Sequence, residues 1–392
     1  MITGSRCKRI LGILTVILAS SLALAACSSS ASTSPSSSSK SSVPHATLVS
    51  LLTPDSYGLS QSQGMQLAVK ELKSEGIVDF NLTQINAGSS PTSALSGLSE
   101  AISDNPAVIV GPLYGTMLLA MKPKIEAAGI PVLVSSGTVA VTSPPNKWIF
   151  RYYVDGEPLA LVQAAAKRLG ITKAAILYGS GQYGSSGLDV ITKALDGIGV
   201  KIVTTQSVSP GATSLAGQVH AIMSSGANGL FVHISTSGRQ VRALDALRAA
   251  GFSGRILWGS GITANAVDSL VSASQLAGIY TEAPAIVSSS TSPAMAAFIS
   301  SYEQMFHTTP SVFAGLEYDA VMMAGQAMRK VGTGHEALWR ELSSMSYKGV
   351  VTQYRAGTDG TMVHNEVLAQ FGSSKNIKVV GQFAVPYTPR KV

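Results

Sequence analysis

The chain has 392 residues, of which 45% are hydrophobic and 12% charged, with a net charge of +7. Two cysteines, Cys7 and Cys27, both near the N-terminus, leave the folded part without a disulfide, a thiolate metal site or a cysteine nucleophile. Lys and Arg are scattered, with no long basic run and no interleaved aromatics, which excludes a nucleic-acid-binding stripe.

In chain order, MITGSRCKR carries Arg6, Lys8 and Arg9 and no acid, and Ile10 to Ala23 is an apolar run closed by small residues. That is the pattern of a secretory signal, too short for a stable membrane span. The run ends in Leu24-Ala25-Ala26-Cys27, which resembles a bacterial lipobox. The resemblance implies cleavage after residue 26 and lipidation of Cys27. Ser28 to Ser42 is nearly all serine and reads as a flexible tether, giving a leader over 1–26 and a tether over 27–44. Losing the leader lowers the charge to +4, and the remaining length suffices for two ordinary domains.

From Ala46 the chain alternates. Strands are expected at Thr47 to Leu52, Ala107 to Val110, Pro131 to Val134, Ala174 to Tyr178, Lys201 to Val208, Gly229 to Ile234 and Ile256 to Trp258. Helices are expected at Leu59 to Lys73, Thr116 to Ala128, Leu159 to Leu169, Asp189 to Ile198, Leu215 to Ser225 and Arg239 to Ala250. Gly129, Gly170, Gly199, Gly226 and Gly251 each follow a helix and precede an apolar run, where glycine accepts the left-handed closing conformation. Short Val/Ile/Leu strands separated by such helices predict right-handed β-α-β units, hence a doubly wound α/β architecture with parallel sheets. The tail breaks the pattern. Helices at Phe313 to Val331 and His335 to Met345 precede strand-like runs at Gly349 to Tyr354, Thr361 to Phe371 and Lys378 to Phe383, a mixed edge.

Gly179, Gly181 and Gly184 are spaced G-x-G-x-x-G between a strand and a helix, the setting of a dinucleotide site. Such a site needs an acid at the end of the next strand, and Gln206-Ser207-Val208 supplies none. Tyr183 also places bulk inside the loop. No G-x-S-x-G elbow, H-E-x-x-H helix or G-x-x-x-x-G-K-[ST] loop is present. His335-Glu336 and His364-Asn365-Glu366 lack a second histidine at ligand spacing and read as surface residues. His233 lies in an apolar strand, as either a core or a cleft histidine. No catalytic residue, metal or cofactor is expected.

In open α/β sheets ligands bind beyond the carboxyl ends of strands. The loops there carry hydroxyls and tyrosines: Tyr57, Tyr114-Gly115-Thr116, Ser135, Ser136 and Thr138, Tyr183, Ser235, and Ser260. Together they predict a cleft for a small polar ligand.

Residues 46 to 392 resemble the leucine/isoleucine/valine-binding family of substrate-binding proteins for ABC importers, with the type I periplasmic-binding fold. The marks, in order, are Ser56-Tyr57-Gly58 with Gly64, Val110-Gly111-Pro112, Gly129-Ile130-Pro131-Val132, Phe150-Arg151 with Asp155, Gln182-Tyr183-Gly184, Tyr318-Asp319-Ala320-Val321, and Lys348-Gly349. The resemblance implies two Rossmann-like lobes, 45–150 with 283–347 and 151–282 with 348–392, joined by three crossings and closing like a hinge. It implies Tyr57 at the cleft edge and a carboxylate-holding loop at Tyr114-Gly115-Thr116. Ser136 and Thr138 would hold the carboxylate and amino group, and Tyr183 would face them from the second lobe. One position departs from the family. Its amino-acid binders carry an acid after the strand Ile256 to Trp258, where this chain has Ser260. A buried ammonium would then need Glu282 or Asp155, or the ligand is an amide, a urea-like molecule or an aromatic carboxylate. The implied protein is a monomeric, lipid-anchored solute receptor serving an ABC permease. The alternatives are a sensor of the same fold and, further off, a cell-surface hydrolase.

Overall fold

The computed structural model describes residues 43–154, 159–264, 267 and 269–389. The expected leader, Cys27, most of the tether and Asp155 lie outside the described residues. The described residues belong to one compact unit, Val43–Val392.

The first lobe is built on strands β1 (His45–Leu52), β2 (Asp79–Asn86), β3 (Val108–Val110), β4 (Val132–Val134) and β5 (Ile149–Arg151). They form a parallel sheet in the order β2-β1-β3-β4-β5. Helices α1 (Ser56–Ser74), α2 (Pro91–Ser103) and α3 (Gly115–Ala128) connect them. The strands are apolar on both faces because both are covered. Leu48, Val108 and Val110 pack with Met65, Leu67 and Leu72 of α1, while Val49, Leu51 and Ile109 pack with Leu98 of α2 and Met117, Leu118 and Met121 of α3.

The second lobe adds α4 (Leu159–Arg168), β6 (Lys173–Gly179), α5 (Gln182–Asp196), β7 (Lys201–Val208), α6 (Ala216–Ser224), β8 (Gly229–His233), α7 (Ser237–Ala249), β9 (Arg255–Trp258), the short α8 (Ala273–Leu276) and β10 (Tyr280–Ala283). The chain then returns to the first lobe. There α9 (Pro293–Phe306), α10 (Val312–Val331) and α11 (His335–Ser344) follow, with α10 lying along α1. Gly64 makes that approach possible, since a Cβ there would stand 2.0 Å from the Ala314 carbonyl oxygen. A small antiparallel sheet, β11 (Ser346–Lys348), β12 (Gln353–Ala356) and β13 (Met362–Val363), leads back to the second lobe. There β14 (Glu366–Phe371) and β15 (Ile377–Phe383) complete the order β15-β14-β10-β9-β8-β6-β7, with β14 antiparallel to both neighbours. Of the strand-like runs read in the tail, Lys378 to Phe383 falls on β15, Thr361 to Phe371 divides into β13 and β14, and Gly349 to Tyr354 only overlaps β12 in the separate small sheet.

Beyond the short elements β5, α8, β10 and β11, which the sequence pattern does not announce, three longer ones were also not expected. β2 is an edge strand whose sequence, DFNLTQIN, alternates without an apolar run, and α2 is serine-rich, started by a reciprocal capping bond between Ser90 and Ser93. α9 begins with Ser292 as N-cap and Pro293 in its first turn. The start of α5 also moves: it begins at Gln182, so Tyr183 sits on the helix's first turn and not on a loop.

The surface reading of His364 and Glu366 is corrected. Both are fully buried, beside the crossing between the lobes. The Val154 N–H donates to His364 Nε2 at 3.3 Å, and Nδ1 donates to the Asn365 carbonyl at 3.0 Å. Burial pushes the imidazole down to about 4, so the ring is neutral and its two nitrogens divide into one acceptor and one donor. His335 is half-buried, with Nε2 2.9 Å from the Pro106 carbonyl, and Glu336 is exposed.

Candidate functional site

A cavity of about 50 Å³ lies where the carboxyl ends of the two sheets meet. From the first lobe it is lined by Tyr57, Tyr114, Gly115, Ser136 and Thr138, which follow β1, β3 and β4, and by Phe313 of α10, and the crossing after β5 adds Tyr153. From the second lobe come Tyr183, Ile234, Ser235, Thr236, Gln240 and Gly261, which follow β6, β8 and β9. Among the described lining residues there is no acid and no base.

On the first lobe, Asp55 caps α1 and organises the rim. Its carboxylate accepts from Gly58 N at 2.9 Å, from the Thr53 hydroxyl at 3.0 Å and from the Tyr114 hydroxyl at 2.6 Å. Burial, followed by the charge of Asp55, pushes the Tyr114 phenol far up, so it remains a neutral donor. Tyr57 meets Phe313 edge-on at 4.9 Å, and Phe313 meets Tyr153 at 5.8 Å. Such aromatic contacts fix ring planes as well as burying area. Ser136 and Thr138 are both buried, and the Thr138 Oγ1 is fully enclosed without a hydrogen-bond partner.

On the second lobe, the glycine loop has a packing explanation. A Cβ on Gly184 would lie 1.8 Å from the Gly179 carbonyl oxygen, whereas at Gly181 nothing stands within 4 Å. Gly184 thus lets α5 begin hard against the end of β6. Gly58 does the same for α1, where a Cβ would lie 2.0 Å from the Thr53 carbonyl oxygen. Tyr183, held on that first turn, stacks on His233 with centroids 4.0 Å apart and planes 20° apart.

Several contacts join the lobes. Gln240 Nε2 donates to the Tyr57 hydroxyl at 3.0 Å, and its Oε1 accepts from Trp258 Nε1 at 3.0 Å. The Ser56 and Ser237 hydroxyls lie 3.3 Å apart, and at the crossing the Tyr153 hydroxyl bonds that of Ser260. Beside them, Arg239 donates from Nε to Thr236 Oγ1 at 2.9 Å and from Nη2 to Ser235 Oγ at 3.1 Å.

Of the residues expected at the site, Tyr57, Tyr114, Gly115, Ser136, Thr138, Tyr183 and Ser235 line the cavity. Thr116 is exposed and points elsewhere. Ser135 lies behind the lining, donating to Glu317 Oε1 at 2.6 Å and accepting from Gln61 Nε2 at 2.9 Å. Tyr152 also bonds Glu317, whose carboxyl burial pushes up. His233 backs Tyr183, Ser260 is engaged by Tyr153, and Glu282 is buried on β10 outside the lining. Gln240, Tyr153 and Phe313 were not expected. Gln240 carries a readable signal: it stands with Ala243, Leu244 and Leu247 on the buried stripe of α7, where a glutamine needs a reason. Among the described residues no group of three His, Cys, Asp or Glu side chains is placed to hold a metal ion, and no helix is long and apolar enough to cross a membrane.

Residues 51–376 match the sequence family described as periplasmic binding protein. No curated protein sequence matches the chain. Among solved structures, the leucine-binding protein LivK of Thermotoga maritima superposes with a TM-score of 0.77 at 18% identity, over 86% of this chain and 99% of that one. A solute-binding protein of an R. palustris ABC transporter, in complex with benzoate, gives 0.77 at 19% identity, over 88% and 98%. The branched-chain amino acid binding protein LivJ of Streptococcus pneumoniae, in complex with isoleucine, gives 0.74 at 18%, over 86% and 99%.

Proposed function

This chain belongs to the periplasmic binding protein family, and from that premise we propose that it is an extracytoplasmic receptor that captures a small polar organic molecule between its lobes and delivers it to an ABC permease. It performs no catalysis and works as a monomer. The lobes comprise 45–150 with 283–347 and 151–282 with 348–392. Residues 1–26 direct export, and lipidated Cys27 with the tether to residue 44 holds the receptor at the membrane.

The observation that carries this reading is the Thr138 hydroxyl, fully buried at a neutral, aromatic-lined cavity and lacking a partner. A buried polar group without a partner costs about 1–3 kcal/mol, and a ligand atom would remove that cost. The cavity lies between strand ends contributed by both lobes, so an occupant bonds both and favours the closed arrangement.

The ligand is an amino acid, an amide or a carboxylate. The relatives of known structure include an isoleucine complex and a benzoate complex, so membership in the leucine/isoleucine/valine branch rests on the ligand itself. Calorimetry with branched and aromatic amino acids, short amides, urea and aromatic carboxylates tests the reading. Micromolar or tighter binding of one class, weakened by Thr138→Val, is the expected result. No binding across the whole panel by folded protein counts against it. Loss of membrane association on Cys27→Ser tests the anchor.

A further inference from the structure

We propose that the ligand is a carboxylate with no neighbouring ammonium group, and that Arg239 supplies its counter-charge. This rests on the solute-receptor reading above and narrows its ligand class.

Among the described residues, the cavity wall carries no anion. A zwitterionic amino acid needs an anionic partner for its ammonium, because a buried unpaired charge is costly. No described lining residue is an acid. Asp55 is near but is not a lining residue, and three neutral donors, Gly58 N, the Thr53 hydroxyl and the Tyr114 hydroxyl, hold its carboxylate at the rim. Ser260 is bonded to Tyr153, and Glu282 lies outside the lining.

A cation stands just behind the walls, bonded to two lining residues but outside the lining itself. Arg239 stands in the first turn of α7, half-buried, and grips Ser235 and Thr236, both of which line the cavity. It forms no ion pair among the described residues. A guanidinium offers five N–H donors in a planar fork suited to a carboxylate, and two are engaged here. Burial, and to a lesser degree the neighbouring Arg242, push its pKa down from the ordinary guanidinium value. The helices α3, α5 and α7, each of which starts at a lining residue or beside one, have no side-chain cap and no acid in the first turn. The α1 helix, which also begins beside the cavity, is instead capped by Asp55, and α6 and α11, away from the cavity, are uncapped as well. Uncapped N-termini present free N–H groups and partial positive charge. The unpartnered, fully buried hydroxyl of Thr138 adds an independent sign that a polar group is received there.

Size fits a headgroup. At about 50 Å³ the cavity holds roughly three or four waters' worth of matter, so a longer body requires the lobes to part slightly.

The test is titration calorimetry on the purified protein with three matched pairs: acetate and acetamide, benzoate and benzamide, 4-methylpentanoate and leucine. At least one carboxylate is expected to bind, and tenfold or more tighter than its amide or amino-acid counterpart. Arg239→Gln is expected to weaken that carboxylate at least tenfold, leave its amide unchanged and keep the melting temperature, while Arg239→Lys recovers part of the loss. Equal affinity for acid and amide, leucine binding as tightly as 4-methylpentanoate, or an unaffected Arg239→Gln variant overturns the proposal. In those cases a ligand is bound and the receptor reading stands. Failure of every carboxylate also overturns the proposal, while only failure across the broader panel above touches the receptor reading.

Discussion

Gln240 of the second lobe donates to the Tyr57 hydroxyl of the first at 3.0 Å while accepting from Trp258 Nε1 at the same distance. A single amide, 1% exposed, therefore ties the cleft wall of one lobe to the sheet end of the other. Both of its functional atoms are used, so the residue has a fixed orientation. The bond to Tyr57 forms only when the lobes are together, so Gln240 contributes to closure as well as, through Trp258, to the fold of its own lobe.

Gln240→Leu keeps the approximate volume and removes both bonds. The Trp258 N–H is left buried and unpaired, at a cost of about 1–3 kcal/mol. The half of the effect that involves Tyr57 opposes closure. The expected outcome is a several-fold loss of ligand affinity together with a larger radius of gyration in solution scattering. An unchanged radius and affinity would remove Gln240 from the closing contacts.

Tyr183 owes its position to a residue that never reaches the cavity. Its ring stacks on His233 at 4.0 Å, and a Cβ on Gly187 would lie 2.1 Å from the His233 ring. Gly187→Ala should thus displace the imidazole and, through it, the tyrosine. Tyr183→Ala is expected to weaken ligand binding by about 1–3 kcal/mol, from lost packing and a lost hydrogen bond. Gly187→Ala should give a smaller loss in the same direction. Calorimetry on both variants checks this, and wild-type affinity in Gly187→Ala would show that the stack does not position Tyr183.

What could be read from the sequence follows from what is local. Strand and helix spacing, glycine stops and strand-end hydroxyls are properties of a few adjacent residues, and they led to the α/β architecture and to seven residues of the cavity wall. β2 and α2 escaped because one is a polar edge strand and the other a serine-rich helix, neither with a strong apolar period. The bonds from Gln240 to Tyr57 and from Tyr153 to Ser260 join residues separated by 183 and 107 positions. No local pattern encodes such a partner. Ser135 illustrates the same limit from the other side. Its loop resembles its neighbours, but its hydroxyl is consumed by Glu317, which arrives on a helix 182 residues later.

Two glycines of the G-x-G-x-x-G run, Gly181 and Gly184, should behave unequally. At Gly184 the obstruction is backbone, 1.8 Å away, and cannot move aside. At Gly181 the space is open and the backbone angle, φ −93°, suits any residue. Gly184→Ala is expected to destabilise by more than about 2 kcal/mol, in the range of severe overpacking, and Gly181→Ala by less than about 0.5 kcal/mol. Urea unfolding of the two variants compares them directly. Equal effects would argue that helix-to-strand packing is not what requires glycine at position 184.

Acid should act on the crossing between the lobes through His364. Its folded pKa is depressed to about 4 from 6.5, so between those values the unfolded chain binds a proton that the native chain refuses. Stability from this group is full above about pH 6.5 and is lost as pH falls towards 4, by about 3 kcal/mol at most. Protonation at Nε2 would also break the bond from the Val154 N–H, and Glu366 and Arg151 are the charged groups facing the ring. Asp319 works in the opposite sense. Burial pushes its carboxyl up to about 7, against the bonds it accepts from Val350 N, Val351 N and the Tyr354 hydroxyl. Its contribution is full below about pH 4 and declines as pH rises to 7, so the two groups offset each other in the native protein. His364→Gln retains an acceptor for Val154 and a donor for Asn365 but cannot titrate. Relative to wild type, its unfolding free energy should gain about 1.4 kcal/mol per pH unit on acidification from 6 to 4.5. Urea midpoints measured across that range for both proteins give the difference, and parallel curves would mean that His364 takes up its proton equally in the folded and unfolded chains.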